Sequence, residues 1–174
     1  QDYKNMWDVA NLLLQKTPSD NFTATMKLTF TPNQKNKGER TGLIVMGRDY
    51  AGLFLENTDK GLTLSQVECK RADKGKPEQS NASVSLTQNT VYLKVKFKCD
   101  GKKIKASEGG HDLLVMCDFS YSLDGKKYQP LGNPFQAREG QWIGTKIGTF
   151  CTRPAIVTND GGWVDVDWFR IAKK

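Results

Sequence analysis

The stretch VYLKVKFKC, residues 91–99, alternates without a break. Val91, Leu93, Val95, Phe97 and Cys99 fall on one side of an extended chain, and Tyr92, Lys94, Lys96 and Lys98 on the other. Successive side chains of a strand point to opposite faces, so this period of two reads as β-strand. A lysine row stands in water. The apolar row needs a second layer to cover it, which calls for two sheets packed face to face. FTATMKLTF, residues 22–30, repeats the pattern, with Phe22, Ala24, Met26, Leu28 and Phe30 against Thr23, Thr25, Lys27 and Thr29.

Outward from these two strands the chain keeps to short β-like runs between polar turns. TGLIVMG and AGLFLEN flank the polar triplet RDY, TDKG turns the chain into LTLSQVECK, and RADKGKPEQSN is a polar loop. DLLVMCDFSYSLDGKKYQPLG reads as a long hairpin turning at Asp124-Gly125, a pair favoured in two-residue primed turns. WIGTKIGTFC is a further strand, and its glycines at 144 and 148 suggest bulges or close backbone approach. Residues 6–15 hold no sustained helical period and Pro18 follows, so they read as a strand entered from a loop. About ten strands of this kind fit an all-β, antiparallel two-sheet β-sandwich, and 174 residues suit one domain with one core.

The net charge of +7 comes from scattered lysines and marks no nucleic-acid surface. No run of eighteen apolar residues spans a membrane. Cys69, Cys99, Cys117 and Cys151 form no CxxC pair and the chain has one histidine, which argues against structural zinc. Cys99 and Cys151 lie in apolar alternations and read as buried thiols, with a disulfide left open. His111, in EGGHDL, reads as a loop-end histidine, since no GxSxG or partnered cysteine accompanies it.

The remaining chemistry lies in GGWVDVDWFRI, residues 161–171. Asp165 and Asp167 sit two apart on one strand, about 6–7 Å from each other on the same side. Glycoside hydrolysis needs two carboxyl groups flanking a bond from opposite sides, which neighbours on one strand do not offer. They read instead as outward acids, or as partial calcium ligands awaiting oxygens from elsewhere. Val164, Val166 and Trp168 are expected in the core. Acids and apolar groups share the other parity, so the strand holds a bulge or its polar face is covered. Trp163 and Trp142 offer flat rings for a pyranose face, with Tyr50 and Tyr3 as further aromatics. Arg48, Asp49 and Tyr50 form a polar island between two apolar runs, and Arg153 follows the FC strand end in a similar setting. These are candidates for sugar or domain contact, set against ordinary turn roles.

Four segments carry a resemblance: MWDVANLLLQKTPSDNFTATMKLTF, GERTGLIVMGRDYAGLFLE, FSYSLDGKKYQPLGNPFQAREGQWIGTKIGTFC and NDGGWVDVDWFRI. Together they resemble the C-terminal domain of family 43 glycoside hydrolases of the β-xylosidase and α-L-arabinofuranosidase type. The resemblance implies a concanavalin A-like jelly roll across residues 1–174. It implies a non-catalytic accessory domain, part of a larger glycosidase whose N-terminal β-propeller holds the catalytic acids. The sandwich would pack on that propeller and help shape its cleft. In the family, one or two further strands normally precede the NLLLQK segment, which leaves one sheet edge in question. The implied setting is breakdown of xylan or arabinan-type polysaccharides or oligosaccharides by a bacterial protein, secreted or periplasmic, with a cytoplasmic location also open. No cofactor is required, with calcium as an option. NFT and NAS, at Asn21 and Asn81, are glycosylation triplets that matter only in a eukaryotic secreted protein. An independent carbohydrate-binding module is the alternative.

Overall fold

The computed structural model describes residues 3–106, 110–140, 144–154 and 160–173. In chain order its strands are β1 (Leu12–Lys16), β2 (Phe22–Thr31), β3 (Arg40–Met46), β4 (Tyr50–Thr58), β5 (Gly61–Cys69) and β6 (Gln79–Ser85). There follow β7 (Thr90–Lys105), β8 (His111–Ser122), β9 (Gln129–Pro130), β10 (Phe135–Ala137), β11 (Lys146–Thr152) and β12 (Trp163–Lys173). One sheet runs β1-β11-β3-β4-β5-β6 and the other β10-β8-β7-β2-β12, with the short β9 also on β8. Every pairing is antiparallel. The two-sheet sandwich expected from the alternating strands is the fold.

The core lies between the sheets. Phe22, Ala24, Met26, Leu28 and Phe30 of β2 and Val91, Leu93, Val95 and Phe97 of β7 meet Leu43, Val45, Leu53, Leu55 and Leu64 from the facing sheet. The rings of Phe22 and Phe97 stack at 4.2 Å. The two strands whose alternation pointed to a sandwich therefore sit side by side at its centre, in register Phe22 to Phe97 and Leu28 to Val91.

A second apolar layer covers the outside of the first sheet. Met6, Ile44, Met46, Tyr50, Phe54, Cys69 and Phe150 are buried there, with Trp7, Val9, Leu12 and Leu14 packed against them. This explains why β3 and β4 carry near-continuous apolar runs: both of their faces are dry. Residues 6–15 prove to be a 3-10 turn over Met6–Asp8 followed by β1, so the expected strand occupies only the end of that segment. The cysteines are free thiols. The fully buried pair is Cys69 and Cys117, whereas Cys99 and Cys151 are half-buried. Burial pushes the Cys117 thiol above its ordinary range.

The Asp124-Gly125 turn and the facing of β12 also differ from what the sequence suggests. The turn after β8 is a loop over residues 123–128, since the hairpin register resumes only at Tyr121 opposite Gln129. Asp124 organises this loop: its Oδ1 accepts from the Lys126 N–H at 2.8 Å, the Lys127 N–H at 2.9 Å and the Ser122 hydroxyl at 2.8 Å. A carboxylate holding this many donors gives the chain a stable wider turn, so the two-residue form is not used. Those bonds, the Lys127 N–H foremost, depress the Asp124 carboxyl from 3.8 to about 2. The folded pKa lies below the unfolded one, so this carboxylate stabilises the fold fully above pH 3.8 and the contribution fades as pH falls through 2. Carboxyl NMR is expected to show Asp124 titrating well below the ordinary aspartate value; a midpoint at that value contradicts the loop geometry.

The other correction concerns β12. A bulge falls between Val166 and Trp168, leaving Asp167 as the extra residue. Before it, Val164 and Val166 lie opposite the core residues Phe30 and Leu28. After it, Phe169 and Ile171 take over that face opposite Met26 and Ala24, and both pack on the core. Trp168 is thereby turned outward, opposite Lys27, with its ring 6.0 Å from Tyr92 and beneath the Arg170 guanidinium at 4.3 Å. Trp168 is not core, and Val166 is 39% exposed because β12 is an edge strand.

Candidate functional site

A cleft of about 750 Å³ opens where β12 begins. Tyr3, Glu39, Thr152, Arg153, Gly161 and Gly162 are among its walls. Glu39 anchors it. This carboxylate is 3% exposed and accepts from the Asn33 N–H at 2.7 Å, the Gly162 N–H at 2.9 Å and the Asn36 amide at 3.4 Å. The Asn57 amide in turn donates to the carbonyls of Asn33 and Asn36. The polar loop TPNQKNKGE is thus tied to the start of β12. Gly162 is required for that approach, since a Cβ there would lie 2.5 Å from Pro32 Cα and from the Thr31 carbonyl. Across the cleft the Tyr3 hydroxyl bonds to Thr152 Oγ1 at 2.8 Å. Arg153, flagged by its place after the FC strand end, lines this cleft. Trp163 follows Gly162 directly, lies opposite Thr31 and is 58% exposed. Glu39 escaped sequence reading because a glutamate in a lysine-rich loop gives no sign of burial.

A separate hollow of about 470 Å³ holds the Arg48–Asp49 island. Trp7, Arg48, Arg71, Lys74 and Arg138 surround Asp49 there. Asp49 Oδ1 accepts the Arg71 N–H at 2.7 Å, and Arg138 Nη1 stands 3.9 Å from Oδ2. Backbone bonds fix the rest: the Arg48 N–H donates to the Glu139 carbonyl at 2.9 Å and the Ala72 N–H to the Arg48 carbonyl at 2.8 Å. Arg71 is left-handed, φ +56°, and is the one such non-glycine among the described residues. That conformation costs roughly 1–2 kcal/mol for a residue with a Cβ.

Tyr50 parts company with its two neighbours. It is fully buried, so it offers nothing to a sugar or a partner. Its hydroxyl donates to Glu78 Oε1 at 2.5 Å and accepts the Met6 N–H at 2.9 Å. Burial, then the Glu78 charge, pushes the phenol far above its ordinary range, so it stays a neutral donor.

Asp165 and Asp167 both sit on the outer side of β12 and are exposed. Asp167 is in an ion pair with Lys27 at 2.7 Å. Among the described residues no three His, Cys, Asp or Glu side chains gather as metal ligands, around these acids or elsewhere. His111 opens β8 opposite Lys105. The Asn21 and Asn81 amides are engaged in bonds to the Cys99 carbonyl and to Gln66 Oε1. Trp142 lies outside the described residues.

Residues 1–172 match the family described as the β-xylosidase C-terminal concanavalin A-like domain. The chain belongs to that family. A β-xylosidase of Formosa agariphila is 37% identical over 51 residues, which cover 29% of this chain and 8% of that protein. Among solved structures, a bifunctional family 43 glycoside hydrolase and carbohydrate esterase of Bacteroides eggerthii superposes with a TM-score of 0.73 at 24% identity. That match covers 95% of this chain and 19% of the other. A family 43 protein of Bacillus licheniformis gives 0.70 at 19% identity, over all of this chain and 31% of its own. The xylan β-1,4-xylosidase of Bacillus halodurans gives 0.67 at 17%, over 94% and 29%. At these identities the superpositions speak for the fold. The chain spans less than a third of each of these relatives. No helix among the described residues is long and apolar enough to cross a membrane.

Proposed function

We propose that this domain is the non-catalytic C-terminal sandwich of a family 43 glycosidase acting on xylan or arabinan-type saccharides, where it buttresses the catalytic β-propeller and shapes its cleft. The observation that carries this reading is the match of residues 1–172 to the C-terminal domain of β-xylosidases, with relatives several times longer than the chain. The acids of β12 support it: they stand side by side on an exposed outer face, one of them held by Lys27. Arg153, which lines the cleft where β12 begins, and the exposed Trp163, which follows Gly162 in the chain, are the residues we assign to contact with the neighbouring domain or its substrate. A secreted or periplasmic location follows from this reading, since polymeric xylan lies outside the cell.

The purified chain is expected to show no turnover of aryl-xylosides or aryl-arabinosides above a blank. Turnover that co-purifies with the domain through successive columns would overturn the reading. The 58% exposure of Trp163 favours a second reading, an independent carbohydrate-binding module. Titrating the same sample with xylo- and arabino-oligosaccharides separates the two, millimolar or weaker binding counting against the module.

A further inference from the structure

The outer face of the β10-β8-β7-β2-β12 sheet carries an ordered array of cations and rings. Strand register places Arg170, Thr25, Lys94 and Ser120 in one row across β12, β2, β7 and β8. The neighbouring row is Trp168, Lys27, Tyr92 and Ser122. Arg170 lies over the Trp168 ring at 4.3 Å, and Lys94 Nζ over the Tyr128 ring at 3.3 Å. A hollow of about 510 Å³ opens beside the first pair, with Thr23, Thr25, Trp168 and Arg170 in its walls. The bulge in β12 creates this surface. Without its extra residue Trp168 would face the core; with it, the ring stands outward, 6.0 Å from Tyr92. Bulges of this kind re-aim a side chain next to functional sites.

The acids of this face are committed elsewhere. Asp167 pairs with Lys27, Asp118 pairs with Lys98, and Asp124 holds its own loop. Asp165 stands opposite Thr29, on the far side of the bulge from Arg170. Among the described residues no carboxylate pairs with Arg170 or Lys94, whose partners are the two rings. The lysines differ accordingly. The hydrogen bond to Asp167 raises the Lys27 ammonium above its ordinary range, whereas burial lowers that of Lys94 and no acid opposes it. Lys96, in the next row, is already engaged within the protein.

We propose that this sheet face binds an acidic polysaccharide, a chain of uronate sugars laid across the strands. Arg170 and Lys94 sit two strands apart in one row, roughly 9–10 Å at their Cα atoms, so the regularly spaced carboxylates of such a chain reach both. The planar guanidinium of Arg170 suits bidentate contact with one of them. Trp168 and Tyr92 offer ring surface to the sugar faces, and Thr23 and Thr25 offer hydroxyls to the sugar hydroxyls. The proposal rests on the carbohydrate-binding reading, to which it gives a ligand class and a site other than Trp163.

The test is calorimetric titration of the 174-residue chain with tetragalacturonate, xylotetraose and poly-L-glutamate. Tetragalacturonate is expected to bind at least tenfold tighter than xylotetraose, or than the polypeptide per carboxylate, and more weakly as salt rises. Arg170→Gln and Lys94→Gln, both on the outer face, are each expected to weaken it several-fold. Lys60→Gln, in the turn between β4 and β5 of the opposite sheet, is expected to leave it unchanged. Unchanged tetragalacturonate affinity in either Arg170→Gln or Lys94→Gln places the sugar elsewhere and overturns the proposal. Xylotetraose binding as tightly also overturns it, while leaving the carbohydrate-binding reading in place. Equal affinity for poly-L-glutamate makes the face a docking surface for an acidic polypeptide and overturns the sugar assignment. Binding of neither saccharide overturns both the proposal and that reading.

Discussion

Glu78→Ala is expected to destabilise the domain by about 3–5 kcal/mol, the range for removing one partner of a buried ion pair. Glu78 takes two bonds from Arg40, Nη1 to Oε2 at 2.6 Å and Nη2 to Oε1 at 3.1 Å, and a third from the Tyr50 hydroxyl. The Arg40 side chain is 12% exposed, with its guanidinium 5.1 Å from the Phe54 ring and 5.7 Å from the Tyr3 ring. Without Glu78 a desolvated cation stands with no counter-charge, and the Tyr50 hydroxyl that anchors the Met6 N–H loses its acceptor. The N-terminal cover over the first sheet depends on this chain of bonds. Urea titration measures the loss. The double variant Arg40→Met, Glu78→Leu is expected to recover much of it, because the desolvation cost disappears with the charges. A loss under 1 kcal/mol for Glu78→Ala would mean that water reaches Arg40.

Gly42→Ala is expected to cost about 3 kcal/mol, the upper end for overpacking. An added Cβ at Gly42 would lie 1.9 Å from the Leu53 carbonyl oxygen and 2.9 Å from its carbon. Both atoms are backbone in the strand paired to β3, so no side chain can rotate away. Gly52, on β4, meets the Leu43 carbonyl at 2.3 Å in the same fashion. β3 and β4 are the two central strands of their sheet, and separating them disturbs both apolar layers at once. Gly144→Ala makes the control. Its added Cβ meets nothing within 4 Å, and the change is expected to be neutral within about 0.5 kcal/mol. Equal midpoints for the two variants in thermal melts would refute the packing argument.

The same contrast shows how far glycines can be read along the chain. Gly144 and Gly148 look alike in WIGTKIGTFC, and both suggested close backbone approach. A Cβ added at Gly148 would lie 1.9 Å from the Leu13 carbonyl oxygen, whereas one at Gly144 would face open space. The difference depends on where β1 lies, and β1 pairs with β11 from the far end of the chain. Arg48 and Asp49 were legible as candidates because a polar triplet interrupts two apolar runs. Their companions Arg71 and Arg138 were not, since they come from distant loops with no shared pattern. Tyr50, adjacent in sequence, turned out to be core, because the strand β4 begins at that residue.

The two-sheet sandwich was determined by the sequence itself. Period-two alternation in residues 22–30 and 91–99 demands one wet and one dry face, and that demand is local. The chain's local pattern did not determine that the first sheet is dry on both sides. The cover comes from residues 3–14, whose apolar groups keep no clean period and gain their role only by docking. Nor did it decide which way Trp168 faces. One extra residue at Asp167 reverses the parity of β12, and the register that exposes the bulge belongs to β2, about 140 residues earlier in the chain.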